Sequence, residues 1–211
     1  MTLTEQLAAH ARQSASRHPE EAKSIMKNAI KELENANLAK RAYKKGQELP
    51  PIALPNAKGD IVNIQEVLKN NKVVIAFYRG GWCPYCNLEL KALQEKLPEI
   101  EAKGAKLIAI TPETPDQSLT TTEKNELSFD ILTDANNEVA RTLGLAFKLP
   151  SELVNLYETF GIDLNKSQGV ASNELPIAAT YIVNQNGTIA YDFIEEDYKL
   201  RAEPSEIVAA L

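Results

Sequence analysis

The stretch Val73–Leu90, VVIAFYRGGWCPYCNLEL, decides the fold prediction. Its first six residues are apolar and rich in β-forming types, as expected for a central strand buried on both faces. Leu88, Leu90, Leu93 and Leu97 then predict a helix, which Pro98 is expected to kink or end. A buried strand that leads straight into a helix indicates an α/β chain.

The sequence on both sides of this stretch alternates the same two element types. A strand is predicted at 107–110, and Asn186–Gly187 is a strong turn signal between two further strands. A strand hairpin around 56–60, a short helix at 64–69 and helices at 137–143, 150–160 and 204–211 complete the pattern. This order predicts an α/β sandwich with a mixed central sheet flanked by helices.

Residues 1–46 differ in composition from the rest of the chain. They hold nine Lys or Arg against five Asp or Glu, whereas residues 47–211 hold 14 against 24. Two helices are predicted, one over 4–16 and a second from Pro19 to the terminal Gly46. We expect an N-terminal helical extension at 1–46 and the main domain at 47–211. The apolar stripe of the second helix has to be covered, either by this chain or by a second copy in a homo-oligomer.

Composition excludes several classes of protein. The net charge of −6 gives no global electrostatic case for nucleic-acid binding. The longest apolar run has six residues, where a membrane span needs about 20. The N-terminus shows no apolar signal segment, so we expect a cytoplasmic protein that does not bind membranes.

The two cysteines of the chain, Cys83 and Cys86, lie three residues apart at the predicted start of a helix. This spacing allows a disulfide, and a helix N-terminus stabilises the reactive thiolate. A redox-active pair is therefore favoured over two inert core cysteines or half of a zinc site. Zinc needs two more ligands, and the chain offers only His10 and His18. No metal or other cofactor is expected.

The segment FYRGGWCPYCNLEL resembles the active-site segment of peroxiredoxin-like proteins, the alkyl hydroperoxide reductase and thiol-specific antioxidant (AhpC/TSA) group of the thioredoxin-like superfamily. The blocks IALPNAKGDIVNI, LIAITPETPDQS, FDILTDANNEVARTLGL and TYIVNQNGTIAYDFIEEDYKLRAEPSEIVAAL agree with it, so the resemblance runs from about Gln47 to Leu211. It implies a thioredoxin-like fold of peroxiredoxin type.

The resemblance also implies roles for the two cysteines, in one of two orders. Peroxiredoxins carry Pro-x-x-x-Thr-x-x-Cys, which puts Cys86 at the peroxidatic position, Cys83 at the Thr and Glu89 at a Glu common in Q-type members. In the Trp-Cys-x-x-Cys of thioredoxins the first cysteine attacks, and Trp82 fits that pattern. We favour Cys86 as the peroxidatic residue and Cys83 as the resolving one; the reverse order stays open.

The chain departs from the peroxiredoxin pattern at three positions. Arg79 replaces the motif's Pro, Lys91 lies where Q-type members have the resolving cysteine, and Ala178 lies near the usual Arg of peroxiredoxins or cis-Pro of thioredoxins. We expect Arg79 to supply the missing positive charge beside the thiolate. Thr111, at the end of the next strand, is expected to line the site from one side.

The resemblance implies a thiol peroxidase with an antioxidant role. It would reduce hydrogen peroxide or an organic hydroperoxide through a sulfenic acid and a Cys83–Cys86 disulfide, recycled by thioredoxin or a similar dithiol. Two alternatives remain at this stage. One is a thiol–disulfide oxidoreductase with little peroxidase activity, and the other is a non-enzymatic redox sensor or binding module.

Overall fold

A five-stranded mixed sheet forms the centre of the computed structural model, which describes residues 1–211. Its strand order is β5-β4-β3-β8-β9, with β3 parallel to β4 and antiparallel to β8. Two small antiparallel pairs, β1–β2 and β6–β7, lie outside this sheet. The strands are β1 Ala53–Pro55, β2 Ile61–Asn63, β3 Lys72–Phe77, β4 Ala105–Thr111, β5 Asp130–Thr133, β6 Ala146–Lys148, β7 Glu174–Pro176, β8 Ala178–Val183 and β9 Ile189–Glu195.

Ten α-helices surround the sheet. They are α1 Leu3–Arg17, α2 Glu20–Ala36, α3 Leu38–Arg41, α4 Ile64–Leu68, α5 Pro84–Ala102, α6 Pro115–Lys124, α7 Glu138–Thr142, α8 Ser151–Thr159, α9 Leu164–Gln168 and α10 Pro204–Ala210. None of them is long and apolar enough to cross a membrane.

Strand β3 separates two apolar cores because its side chains alternate between the faces of the sheet. Val74, Ala76 and Tyr78 face the core shared with α1, α5 and α10. Val73, Ile75 and Phe77 face the core that contains residues of α3, α4 and α7. The predicted strand, buried on both faces, and the predicted mixed sheet between helices are confirmed.

The N-terminal helices are covered by the same chain. Leu3 and Leu7 of α1 lie in the core beside α5, and Ala29 of α2 packs into a third apolar cluster with α8. The Glu203 carboxylate accepts hydrogen bonds from the Leu3 and Thr4 amides at 3.1 and 3.0 Å, which ties the start of α1 to the segment before α10. The apolar stripe predicted for the second helix therefore packs against this chain itself.

Two sequence predictions about helix ends differ from the structure: the second N-terminal helix is shorter than predicted, and the alternative in which Pro98 ends its helix is wrong. The second N-terminal helix stops at Ala36 because Asn37 adopts a left-handed conformation (φ 50°), and only the short α3 follows before Gly46. Pro98 does not end α5, which continues to Ala102. The long apolar face of α5, which is buried through Ile100, outweighs the hydrogen bond that a proline removes.

Candidate active site

Both cysteines lie at the N-terminus of α5, where the loop after β3 turns back over the sheet. Cys83 is the N-cap residue, Pro84 is the first helical residue, and Cys86 lies in the first turn. The Cys83 and Cys86 side chains are 1 % and 0 % exposed, so neither sulfur is in contact with solvent. Both are free thiols in the structure.

The turn before the pair depends on two glycines and one buried carboxylate. Glu113, 1 % exposed, accepts hydrogen bonds from the Gly81 amide and the Ser167 hydroxyl, each at 2.8 Å. Burial raises the pKa of Glu113, and these two bonds oppose the rise. A Cβ on Gly81 would lie 2.0 Å from the Thr121 hydroxyl oxygen, so position 81 accepts a side chain only if its neighbours shift.

A Gly81→Ala variant is therefore expected to be destabilised by about 1–3 kcal/mol, because the new methyl group has to push α6 and the turn apart. Urea unfolding would measure the loss. Gly81→Ala combined with Thr121→Ala removes the overlapping hydroxyl and should recover part of the stability. No recovery in the double variant would contradict the steric explanation.

Arg79 is buried in a cage of aromatic rings. Its guanidinium carbon lies 4.4 Å from the Tyr198 ring centroid, 4.9 Å from that of Trp82 and 5.7 Å from that of Tyr157. Its Nη2 also donates to the Tyr157 hydroxyl at 2.8 Å. Arg79 is 4 % exposed, and its charge lowers the pKa of Cys83; the predicted role of Arg79 beside the thiolate stays a prediction.

Arg201 supplies a second guanidinium from the segment between β9 and α10. Its Nε donates to Glu89 Oε2 at 2.5 Å, and its Nη2 lies 3.3 Å from the Cys86 sulfur. Its Nη1 donates to the Tyr198 and Leu200 carbonyls, which fixes the plane of the group. Arg201 thus brings to Cys86 a charge that Ala178 cannot offer.

Glu89, a predicted site residue, lies on the same face of α5 as Cys86 because of the three-residue spacing. It is 1 % exposed, and its second oxygen, Oε1, has no hydrogen-bond partner. Burial raises the pKa of Glu89 to about 7, although Arg201 opposes the rise. The carboxyl therefore titrates near neutral pH beside the sulfur.

The two sulfurs have different proton affinities. The neighbouring Cys86 group, as a hydrogen-bond partner, lowers the pKa of Cys83 to about 5, with Arg79 and Arg201 adding to the effect against burial. Burial, followed by the Cys83 sulfur, raises the pKa of Cys86. The two thiols are thus coupled, and their surroundings favour ionisation of Cys83 over ionisation of Cys86.

An Arg79→Met variant is expected to raise the pKa of Cys83 and so move the pH profile of thiolate alkylation to higher pH. A shift of one unit would cost about tenfold in thiolate at a pH below both the original and the new pKa. Ultraviolet thiolate absorbance and iodoacetamide rates across pH would report it. Arg141→Met, which removes a half-exposed guanidinium paired with Glu174, is the control. An unchanged midpoint for Cys83 would reject the role of Arg79.

The two remaining predicted residues differ in their relation to the site: Trp82 lies beside Arg79, whereas Thr111 makes no hydrogen bond to either sulfur. Trp82 is half-buried and stacks with Tyr157 at 5.5 Å between centroids, beside Arg79. Thr111 is buried at the end of β4, but no hydrogen bond joins it to either sulfur; its hydroxyl accepts from the Glu113 amide at 3.4 Å. Thr111 therefore belongs to the support behind the turn.

Sequence reasoning missed four residues of the site: Arg201, Tyr198, Tyr157 and Glu113. Arg201 is 115 residues from Cys86 in the sequence and lies in a segment with no recognisable motif. Its only signal is the lone basic residue in LRAEPSE, at the end of a block that resembles peroxiredoxins. In the sequence, Tyr157 falls within a predicted helix and Tyr198 within a predicted loop, and neither position shows a signal for a site residue.

Comparison with known proteins gives the family. The model of the AhpC/TSA family matches residues 45–192, which include the cysteine pair and most of the sheet. The chain belongs to the AhpC/TSA family. The match begins after α3, so α1 and α2 lie outside it.

Individual members of the AhpC/TSA family are distant from this chain. A putative peroxiredoxin bcp of Haemophilus influenzae is 28% identical over 100 residues, 47% of this chain and 64% of the relative. Peroxiredoxin Bcp of Escherichia coli is 26% identical over 102 residues, 48% of this chain and 65% of the relative. The matches thus span just under two thirds of these curated relatives.

The fold agrees with the family. The crystal structure of peroxidoxin BcpB from Mycobacterium tuberculosis superposes with a TM-score of 0.61 at 16% identity, over 79% of this chain and 95% of that one. This confirms the predicted thioredoxin-like fold of peroxiredoxin type.

Proposed function

We propose that this protein is a thiol peroxidase whose redox centre is the Cys83–Cys86 pair. One observation carries the proposal: two cysteines, three residues apart and shielded from solvent, lie with two buried guanidinium groups, those of Arg79 and Arg201. The names of its relatives as peroxiredoxins support the same activity. The hydroperoxide is the oxidant, and thioredoxin or a similar dithiol is the proposed reductant.

The electrostatics favour Cys83 as the attacking sulfur, although alignment with the family motif favours Cys86. The Cys83 thiolate attacks one peroxide oxygen, the O–O bond breaks, and Cys83 becomes a sulfenic acid. The leaving alkoxide or hydroxide takes the Cys86 proton. The new Cys86 thiolate, faced by Arg201, attacks the Cys83 sulfur and expels hydroxide, which a solvent proton converts to water.

The overall reaction is balanced in atoms and electrons. One thiolate, one thiol, one organic hydroperoxide and one proton give one disulfide, one alcohol and one water. Hydrogen peroxide gives a second water in place of the alcohol. The sulfurs lose two electrons and the peroxide gains two. An external dithiol then returns two electrons by thiol–disulfide exchange.

We also propose a domain organisation for the chain and a cellular location for the protein. We treat residues 1–46 as an extension that covers the peroxiredoxin-type domain at 47–211, since α1 and α2 pack over α5 and α8. A cytoplasmic location is proposed because a chain with only two cysteines lacks the disulfide framework of small secreted scaffolds. Homo-oligomer formation stays a prediction from the sequence.

A stoichiometric hydrogen peroxide titration of the reduced protein, followed by stopped-flow Trp82 fluorescence, tests the proposal. Trp82 precedes Cys83 and stacks near Arg79, so its emission should change as the disulfide forms. We expect one equivalent of peroxide to give one disulfide, much faster than a free thiol reacts. Oxidation no faster than a free thiol, together with rapid reduction of insulin disulfides, would instead make the protein a disulfide oxidoreductase.

A further inference from the structure

The turn before α5 decides where Cys83 lies relative to Cys86. Cys86 lies inside α5, whereas Cys83 is the N-cap residue and has an extended backbone (φ −89°, ψ 115°). Gly80 and Gly81 come just before it in the turn. Two consecutive glycines give a chain much conformational freedom, so contacts from outside the turn are needed to hold Cys83 in one place.

The side chain of Asn87 holds two carbonyl groups of this turn. Its Nδ2 donates to the Gly81 carbonyl at 2.7 Å and to the Cys83 carbonyl at 3.1 Å. An amide nitrogen carries two protons, so one side chain can make both bonds at the same time. The backbone amide of Asn87 also donates to the Cys83 carbonyl, at 3.1 Å, in the first turn of α5. Asn87 therefore connects the turn to the helix that carries Cys86.

Asn125 fixes the direction in which the Asn87 amide points. It lies directly after α6 and is buried, and its Nδ2 donates to Asn87 Oδ1 at 2.8 Å and to the Thr121 carbonyl at 3.0 Å. Because this bond occupies the oxygen of the Asn87 amide, the nitrogen is the end that faces the turn. The opposite orientation would place the Asn87 oxygen against two carbonyl oxygens. The buried Glu113 completes the arrangement by accepting from the Gly81 amide.

We propose that Asn87 is a positioning residue of the redox centre, which holds Cys83 in the place from which its sulfur can bond to that of Cys86. This inference rests on the proposed function, in which a Cys83–Cys86 disulfide forms in every cycle. The side chains of the two cysteines are already hydrogen-bond partners in the reduced protein. A turn held in this arrangement loses less entropy when the two sulfurs bond, so Asn87 raises the effective concentration of one sulfur at the other.

Asn87→Ala tests this role through the equilibrium between the cysteine pair and dithiothreitol, measured by acid quenching and mass spectrometry of the thiols. We expect the disulfide to become about tenfold easier to reduce, because the reduced turn gains freedom that disulfide formation has to remove. That shift corresponds to about 30 mV in reduction potential. Gln94→Ala is the matched control, because Gln94 is a side-chain amide two turns further along α5 whose bonds to Ser128 do not involve the turn.

A purely structural role for Asn87 predicts a different result. Asn87→Ala would then lower the urea stability of the reduced and disulfide forms equally and leave the dithiothreitol equilibrium unchanged, which would overturn the inference. An equal shift in Gln94→Ala would overturn it as well.

Asn125→Ala tests the same role without removing the Asn87 side chain. It frees the Asn87 amide to turn, so the equilibrium should shift in the same direction by a smaller factor. If Asn87→Ala does not fold, this variant decides, and an unchanged equilibrium in it would overturn the inference. Oxidation of the unmodified protein by hydrogen peroxide no faster than a free thiol would instead refute the proposed peroxidase, and the shift in the dithiothreitol equilibrium would still support the role of Asn87.

Discussion

Cys83→Ser is expected to lose rapid oxidation by peroxide, whereas Cys86→Ser is expected to keep it and accumulate a sulfenic acid on Cys83. Without Cys83 the remaining thiol is buried, and burial raises the pKa of Cys86. A free thiol with the ordinary pKa of about 8.5 is about 3% ionised at pH 7, and burial lowers this fraction further, so the rate should fall by at least about 30-fold. Dimedone trapping with mass spectrometry, beside stopped-flow rates, would identify the oxidised sulfur.

The two serine variants are each other's controls, because each removes one sulfur and keeps the size of the side chain. A sulfenic acid trapped at full speed on Cys86 in Cys83→Ser would reverse the proposed order. That outcome would mean that Arg201, 3.3 Å from Cys86, overcomes the burial of that sulfur once Cys83 is absent. The family motif would then predict the roles of the two cysteines better than the pKa shifts of the two thiols in the reduced protein do.

Arg201→Met is expected to cost about 3–5 kcal/mol of unfolding free energy, because it leaves the Glu89 carboxylate buried without its partner. Glu89 and Arg201 are 2% and 1% exposed in their side chains. Guanidinium chloride unfolding would measure the loss. Lys69→Met is the control: it breaks an exposed pair with Glu66, which is worth about 0–1 kcal/mol.

The loss in Arg201→Met should also depend on pH. The pKa of Glu89 is already raised in the folded state, and removing Arg201 raises it further. The folded variant therefore binds a proton more tightly than the unfolded chain, so its stability falls as pH rises from the unfolded pKa of 4.5 through about 7 and beyond. The defect should be larger at about pH 8 than at about pH 5.

The double variant Glu89→Gln/Arg201→Met separates the ion pair from simple packing. It removes both charges, so it should recover a large part of the stability lost in Arg201→Met and lose the added pH dependence. A double variant as unstable as the single one, with the same pH profile, would show that Arg201 acts through its contacts with the Tyr198 and Leu200 carbonyls instead.

The sequence by itself determined the central strand, the helix that follows it and the redox pair at their junction. These features are local: β-forming apolar residues fill β3, leucines repeat along one face of α5, and two cysteines three residues apart fall on one helical turn. Local patterns also predicted the β8–β9 hairpin at Asn186–Gly187. Tertiary packing carried α5 through Pro98, so the helix end that this proline allowed, one of its two predicted effects, did not occur there.

Only the tertiary structure decided which charges face the sulfurs and what covers them. Arg201 reaches Cys86 from the far end of the chain, and it pairs there with Glu89, whose side chain is buried like its own. The cover over the site comes from the N-terminal helices, whose apolar stripe could equally have packed on another copy. The pKa of a thiol depends on burial and on charges nearby in space, and sequence separation says nothing about either.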